Sequence, residues 1–267
     1  MHGFSTRAGG FSRAPRKGDL NLGFTKDDSR SAVEHNRAAF LQKLPAGSAK
    51  KPWPLVTLRQ IHSDLIHCVD APPAAQLAGD GIITSAPELL LAIQTADCLP
   101  VILVDTKQRA VGAFHAGWRG TVQRIVEKGV GEMVRYFGSK PKDIKAAIGP
   151  GIYGCCYEVG EEVRTKFESQ FEYGESLFRE VKDSDPVREK YPLLFLTARA
   201  PGHSELPKRI FLDLVRANRQ QLLAAGVSKK NIETSGACTN CNPELLFSYR
   251  REKGRTGRMM GVVGIRE

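Results

Sequence analysis

The chain has 267 residues, of which 41% are hydrophobic and 25% are charged. This is ordinary globular composition with enough apolar material for a sizeable core, and it excludes disorder as the main state. No apolar run approaches the roughly 20 residues that span a bilayer, and the first residues lack the apolar segment of a secretion signal. We therefore expect a cytoplasmic protein with reduced cysteines.

The net charge of +10 comes from 39 basic and 29 acidic residues. Such a charge suits a nucleic acid or an anionic small substrate equally well. The basic residues are scattered and no nucleic-acid-binding motif accompanies them, so we expect neither a nucleic-acid nor a membrane partner. Six cysteines are too few for a disulfide scaffold in a chain of this length, which leaves them available for metal binding or catalysis.

The first half of the chain predicts one helix followed by short strands. Ser31 and Glu34 are spaced as a helix capping box, and apolar residues continue the helical pattern to about residue 44. Apolar strands separated by Gly and Pro follow at residues 55–60, 65–69, 81–84, 89–95, 101–104 and 110–114. Two of these runs are apolar throughout, which indicates strands that are buried on both faces.

The second half alternates helices and strands. Helices are predicted at residues 121–137, 160–167 and 212–225, and short strands around Ile148, Ile232, Leu246 and Val262. Residues 171–209 are charged and irregular, which indicates an excursion from the domain. The mixture predicts a single mixed α/β domain of the α+β class over residues 1–267, with helices on its outer faces.

Three segments concentrate residues that could do chemistry, and each begins where a buried strand ends. Residues 59–64, 95–100 and 115–120 contain His62, Cys98 and His115, respectively. Two imidazoles and a thiolate are good zinc ligands, and three protein ligands leave a position for substrate. The separations along the chain are too long for a zinc-finger knuckle, so the residues alone leave ordinary structural roles open.

Charged residues accompany the three candidate ligands. Arg59 and Arg119 are candidate anion clamps, because a guanidinium offers a planar fork that suits phosphate. Structural ion pairs with Asp64 or Asp97 fit these arginines equally well. Asp97 is also a candidate for orienting a ligand imidazole through a hydrogen bond.

A second set of residues is an alternative candidate for the metal site. His203 and Glu205, followed by Cys238 and Cys241, imitate the signature of the zinc nucleoside deaminases. Ala237 stands where that signature has a proline, so the match is weak. Cys238 and Cys241 are also spaced as a redox pair, although no strand–helix–strand context accompanies them.

Short motifs occur in order along nearly the whole chain, at residues 4–10, 20–23, 36–37, 60–62, 95–100, 115–120, 148–150, 155–160, 247–251 and 256–259. Taken in chain order, these motifs resemble the bacterial laccase-domain (polyphenol oxidase-like) family, which is regarded as a family of zinc-dependent purine nucleoside phosphorylases.

The resemblance implies a catalytic zinc on His62, Cys98 and His115, with copper as an adventitious occupant, and substrate contacts from Asn21 and Tyr157. It implies a four-layer α/β/β/α sandwich with mixed sheets. The implied reaction is phosphorolysis of adenosine, inosine and methylthioadenosine to the free base and ribose 1-phosphate, accompanied in some members by adenosine deamination. The expected partners are these small purine nucleosides and phosphate, and the expected state is a monomer or weak homodimer.

Two other enzyme classes stay open. A metal-free cysteine hydrolase or amidase would use Cys98 as the nucleophile and His115 as the base. A copper-dependent polyphenol oxidase, which is the older family label, would require many histidines. The chain has six histidines and no His-x-His pair, which argues against the oxidase.

Overall fold

The computed structural model describes residues 1–14, 16–48, 51–182 and 208–267. These residues form two compact units: unit 1 comprises Met1–Tyr153 and Leu214–Glu267, and unit 2 comprises Gly154–Asp213. The division into two compact units does not test whether residues 1–267 form one domain, so the single domain stays a prediction. No helix among the described residues has the length and apolarity needed to cross a bilayer.

The secondary-structure elements are numbered in chain order. The strands are β1 (His2–Phe4), β2 (Ala8–Ser12), β3 (Gly47–Ser48), β4 (Lys51–Pro52), β5 (Leu55–Thr57), β6 (Ile66–Cys68), β7 (Gly81–Thr84), β8 (Leu90–Thr95), β9 (Leu99–Asp105), β10 (Ala110–Ala116), β11 (Lys145–Ile148), β12 (Glu158–Val159), β13 (Phe178–Lys182), β14 (Lys208–Leu212), β15 (Ile232–Thr234) and β16 (Met259–Gly264). The helices are α1 (Arg30–Lys43), α2 (Trp118–Val122), α3 (Ile125–Phe137), α4 (Glu161–Gln170) and α5 (Leu214–Ala224).

Two mixed sheets form the centre of unit 1. The four-stranded sheet has the order β1–β16–β8–β5, in which only the β5–β8 pair is parallel. The six-stranded sheet has the order β15–β11–β9–β10–β7–β6. Its inner pairs are antiparallel, and the two outermost pairs are parallel. The chain therefore crosses from one sheet to the other between β8 and β9.

The central core lies between the two sheets. Leu91 and Ile93 of β8 pack there with Ala113 of β10. Leu90, one position earlier on β8, packs on the opposite face with Phe40 of α1. Because successive residues of a strand point to opposite faces, β8 is buried on both sides, as its continuous apolar run predicts.

Helices cover the outer face of the six-stranded sheet as well. Phe114 of β10 is fully buried and lies against Gly129 of α3. On α5, Asn218 Nδ2 donates to Thr121 Oγ1 at 3.0 Å and Gln221 Nε2 donates to the Thr121 carbonyl at 2.7 Å. Unit 1 thus has the layer order helix, sheet, sheet, helix, and the predicted mixed α/β fold is confirmed.

Unit 2 has a small core of its own. Its three antiparallel strands have the order β12–β14–β13. Phe167 of α4 is fully buried, and its ring centroid lies 5.8 Å from that of Phe171 and 6.0 Å from that of Phe178. Part of the segment predicted to be irregular therefore forms strand β13. His203 and Glu205 lie outside the described residues.

Three differences from the predictions have a local reason. Ser29 rather than Ser31 caps α1, because the Ser29 hydroxyl accepts a backbone hydrogen bond at 3.2 Å. The helix predicted over residues 121–137 is two helices, because Arg124 interrupts it with a φ of 64°. Leu246 lies in a turn rather than a strand, since its N–H donates to the carbonyl four residues earlier at 2.9 Å.

Alanine substitutions at two glycines of α3 should change the stability of the protein in opposite directions. A Cβ at Gly129 would lie 2.5 Å from the buried Phe114 ring, so Gly129→Ala should lower the free energy of unfolding by about 1–3 kcal/mol. Gly131 is exposed and has no described atom within 4 Å of an added Cβ. Gly131→Ala should therefore raise that free energy by about 0.5–1 kcal/mol through helix propensity. Urea unfolding of both variants measures this, and equal effects would contradict the packing.

Candidate metal centre

His62, Cys98 and His115 come together in unit 1. Their candidate ligand atoms all lie within 4.8 Å of one another, and the two imidazole centroids are 4.9 Å apart. Zinc–sulfur and zinc–nitrogen bonds are about 2.0–2.3 Å long, so donors at these separations can share one ion. The structure thus places the three candidate ligands, distant along the chain, in one cluster.

Strand pairing positions Cys98 and His115. Cys98 lies on the short crossing between Thr95, which ends β8, and Leu99, which begins β9. His115 is the penultimate residue of β10 and pairs in register with Pro100. Because β9 and β10 are neighbours, the segment between β8 and β9 places the Cys98 thiol beside the His115 ring.

His62 lies on the exposed turn between β5 and β6 and has a φ of 59°. A left-handed backbone is unfavourable by about 1–2 kcal/mol for a residue other than glycine, so it needs support from neighbouring contacts. The backbone N–H groups of Ile61 and Ser63 supply it by donating to Asp80 Oδ2 at 3.1 and 2.7 Å. The Ser63 hydroxyl donates to the same oxygen at 2.8 Å.

The Asp80 carboxylate also holds His115. Asp80 is fully buried, and its Oδ1 lies 2.8 Å from His115 Nδ1. The backbone N–H of His115 donates to the Asp80 carbonyl at 2.7 Å. A carboxylate on one ring nitrogen fixes the orientation of a histidine ligand and leaves the other nitrogen for a metal. The residues present therefore fit a metal ion held by His115 Nε2, Cys98 Sγ and a nitrogen of His62.

The protonation states of Cys98, His115 and Asp80 depend on one another. Burial would raise the pKa of Cys98, but His115 and His62 lower it to about 6. Burial would lower the pKa of His115, but the Cys98 thiolate and Asp80 raise it to about 9. Burial would raise the pKa of Asp80, but hydrogen bonds from His115 and Ser63 lower it to about 2. At neutral pH a thiolate therefore faces an imidazolium, whose proton a binding metal ion would replace.

Two glycines allow the chain to pass close to the ligands. A Cβ at Gly117 would lie 2.8 Å from Cys98 Sγ and 3.4 Å from a ring carbon of His62. A Cβ at Gly120 would lie 3.0 Å from the Ser63 carbonyl oxygen. The close packing at the centre therefore leaves no room for a side chain at either glycine of the motif at residues 115–120.

The sequence analysis suggested Asp97 as the residue that orients a ligand imidazole, but in the structure Asp80 makes this contact, to His115. The Asp97 carboxylate instead accepts hydrogen bonds from Thr239 Oγ1 and from the backbone N–H of Arg250, both at 2.6 Å. Sequence reasoning missed Asp80 because it stands alone between two glycines. The available signal was its position directly before the buried strand β7, which pairs with β10.

Arg59 and Arg119, the predicted anion clamps, are both exposed. The guanidinium carbon of Arg119 lies 4.6 Å from the centroid of the Trp118 ring. Asp64, a considered ion-pair partner, pairs with Lys128. The phosphate-binding role of the two arginines stays a prediction.

Asn21 and Tyr157, the predicted substrate contacts, lie in different units. Asn21 is fully buried, and its amide donates to Asp28 Oδ2 at 2.9 Å. Its Oδ1 accepts from the backbone N–H groups of Gly23 at 3.0 Å and Arg258 at 2.8 Å. Asn21 therefore joins two distant segments of unit 1, and a substrate contact by either residue stays a prediction.

Asp80→Asn should weaken zinc binding about 10–100-fold, because the amide is a poor substitute for the carboxylate that orients His115. Competition with a chromophoric chelator measures the affinity. Asp64→Asn is the matched control, since Asp64 is a carboxylate near the same turn that pairs with Lys128 at the surface. Unchanged zinc affinity in Asp80→Asn would contradict the orienting role.

Cys98 should be alkylated by iodoacetamide at lower pH than Cys68 in chelator-treated protein. The thiolate fraction of Cys98 rises as pH passes its pKa of about 6, whereas burial, Asp70 and Glu132 raise the pKa of Cys68 above its ordinary value. Peptide mass spectrometry over a pH series measures both thiols in one sample. Saturating zinc should protect Cys98 alone, and coincident pH profiles would count against the electrostatic account.

Residues 1–266 match a protein-family model described as multi-copper polyphenol oxidoreductase laccase. The purine nucleoside phosphorylase of Deinococcus radiodurans is 38% identical over 99% of this chain and 88% of its own length. The purine nucleoside phosphorylase YlmD of Geobacillus stearothermophilus is 36% identical over 99% of this chain and 90% of its own length.

Solved structures share the fold. The hypothetical protein YfiH of Bacillus licheniformis superposes with a TM-score of 0.83 at 34% identity, over 99% of this chain and 92% of that one. YlmD of Geobacillus stearothermophilus superposes with a TM-score of 0.78 at 33% identity, over 100% of this chain and 92% of that one.

Proposed function

Because this chain belongs to the family described as multi-copper polyphenol oxidoreductase laccase, and relatives in it are named purine nucleoside phosphorylases, we propose that it is a zinc-dependent purine nucleoside phosphorylase. The family resemblance read from the motifs is confirmed. The observation that carries the proposal is the cluster of His62, Cys98 and His115 supported by Asp80. The proposed substrates are adenosine, inosine and methylthioadenosine, with adenosine deamination as an additional activity.

The donor set favours zinc as the metal. Two imidazole nitrogens and one thiolate are a common zinc ligand set, and three protein ligands leave a coordination position for a reactant. When bound, the ion supplies a Lewis acid that polarises an oxygen of the substrate or of water. Copper is proposed only as an adventitious occupant. Among the described residues, His62 and His115 are the only histidines in the candidate metal cluster, whereas a multi-copper oxidase requires several histidine sites.

Phosphorolysis breaks the bond between ribose C1 and the purine nitrogen, joins a phosphate oxygen to C1, and leaves a proton on the departing base. The phosphate co-substrate is an anion, which the net charge of +10 attracts. We assign Arg59 and Arg119 as exposed cations that help to draw it in. Asp97 contributes by fixing the backbone of Arg250 beside the Cys98 segment.

A metal-free cysteine hydrolase or amidase is the second candidate. Cys98, His115 and Asp80 have the order of nucleophile, base and orienting carboxylate that such enzymes use. His62 separates the two proposals: it is one of three metal ligands in the phosphorylase, and the hydrolase has no need of it. The cytoplasmic location and the state of a monomer or weak homodimer stay predictions.

His62→Ala, Cys98→Ala and His115→Ala should each lose bound zinc and reduce phosphorolysis to background. Zinc is measured by elemental mass spectrometry, and hypoxanthine release from inosine is measured in phosphate buffer. His35→Ala is the matched control, because His35 is an exposed histidine of α1. Full activity in any of the three centre variants would refute the proposal.

Chelation distinguishes the two candidates. The phosphorylase should lose turnover when zinc is removed and regain it when zinc is restored. The hydrolase should keep its rate after chelation and lose it on alkylation of Cys98. An inosine phosphorolysis rate unchanged by chelation would exclude the zinc mechanism.

A further inference from the structure

Arg258 is a half-buried arginine whose guanidinium has no carboxylate partner in the described ranges. Its Nη1 donates to the carbonyls of Thr256 at 3.1 Å and Gly257 at 3.0 Å. Nε and Nη2 have no hydrogen-bond acceptor among the described residues. Burial lowers the pKa of Arg258 below the usual value for arginine, while Tyr249, Cys98, Asp97 and Asp27 act in the opposite direction.

Arg7 shows how this protein pairs a buried arginine. Arg7 is 5% exposed and bonds both carboxylate oxygens of Asp19, at 3.0 and 2.7 Å. Its remaining nitrogen bonds Glu252 at 2.7 Å. A buried charge is unfavourable unless it is paired and hydrogen-bonded. By contrast, Arg258 is half-buried and keeps an unpaired donor edge, which is available to an anion from outside the chain.

Strand pairing places Arg258 beside the metal centre. Met259 opens β16 and pairs with Thr95, the last residue of β8, in an antiparallel register. Arg258, one position earlier, therefore lies alongside the segment that carries Asp97 and Cys98. Charges on both residues act on the Arg258 guanidinium. An anion on Arg258 would thus lie next to the metal centre.

The turn at residues 20–23 holds Arg258 in this place. The Arg258 N–H donates to Asn21 Oδ1 at 2.8 Å, and the Leu22 N–H donates to the Arg258 carbonyl at 2.9 Å. A Cβ at Gly23 would lie 2.5 Å from Arg258 Cγ and 2.9 Å from Gln94 Oε1, so any side chain there would displace the arginine. The motifs at residues 20–23 and 256–259 therefore contact each other and together hold Arg258 in position.

We propose that Arg258 binds the phosphate co-substrate beside the metal centre. A guanidinium presents parallel N–H donors to two oxygens of a phosphate, and Nε and Nη2 form such an edge. Tyr249 covers part of the group, with its ring centroid 5.6 Å from the guanidinium carbon. Naming phosphate as the anion rests on the proposed function, whereas the anion site itself rests on the half-buried guanidinium with its unpaired donor edge.

Equilibrium binding of inorganic phosphate to the zinc-loaded protein tests the inference without requiring turnover. Arg258→Gln should raise the calorimetric dissociation constant for phosphate about tenfold or more, since it removes a charge-assisted bidentate contact. Arg258→Lys should fall between this variant and the wild type, because it keeps the charge but loses the fork. Arg255→Gln is the matched control: it removes the same charge three positions earlier, at a side chain that is 81% exposed.

A second variant displaces the arginine without removing it. Gly23→Ala should also weaken phosphate binding, because the new Cβ would overlap the Arg258 stem. Zinc content and the urea unfolding midpoint, measured on the same samples, identify any variant that fails to fold. Equal phosphate affinity in wild type and Arg258→Gln, or no phosphate binding by the wild type, would overturn the inference.

The outcomes separate this inference from the proposed function. Arg258-dependent phosphate binding by a protein that cleaves none of adenosine, inosine and methylthioadenosine would refute the phosphorylase and keep the anion site. Inosine cleavage with the same KM for phosphate in wild type and Arg258→Gln would keep the phosphorylase and refute the role of Arg258.

Discussion

One buried carboxylate holds the candidate metal centre in place. Asp80 orients the His115 imidazole through one oxygen and supports the turn that carries His62 through the other. Because Asp80 is excluded from water, losing one of these partners would leave part of a buried charge unsatisfied, which is strongly unfavourable. The positions of two candidate ligands therefore depend on a residue that is not itself in the ligand set.

The third ligand depends on how the two sheets of unit 1 pack. Cys98 lies where the chain leaves β8 in one sheet and enters β9 in the other. The apolar core between the sheets, which includes Ile93 and Ile102, fixes the distance between those strands and hence the position of the crossing. A site built on strand ends in this way has rigid support, which a metal centre requires.

The centre and Arg258 have complementary electrostatic roles in the proposed reaction. Cys98 supplies a thiolate that favours a cation, and Arg258 supplies a half-buried positive charge that favours an anion. A phosphorylase must bring an anion to a sugar carbon while polarising its substrate, so it needs both within one site. The two charges lie on neighbouring segments because β16 pairs with β8.

The sequence by itself determined the buried strands and the candidate ligands. The apolar run of β8 indicated burial on both faces, and the motifs around His62, Cys98 and His115 indicated the ligand set. Such features are local, because side-chain spacing decides which face of a strand is buried. Only the tertiary structure decided that Asp80 contacts His115 and that Arg258 lies beside the centre without a carboxylate partner among the described residues. Those relations join residues far apart in the chain, and they exist only once β7 has paired with β10 and β16 with β8.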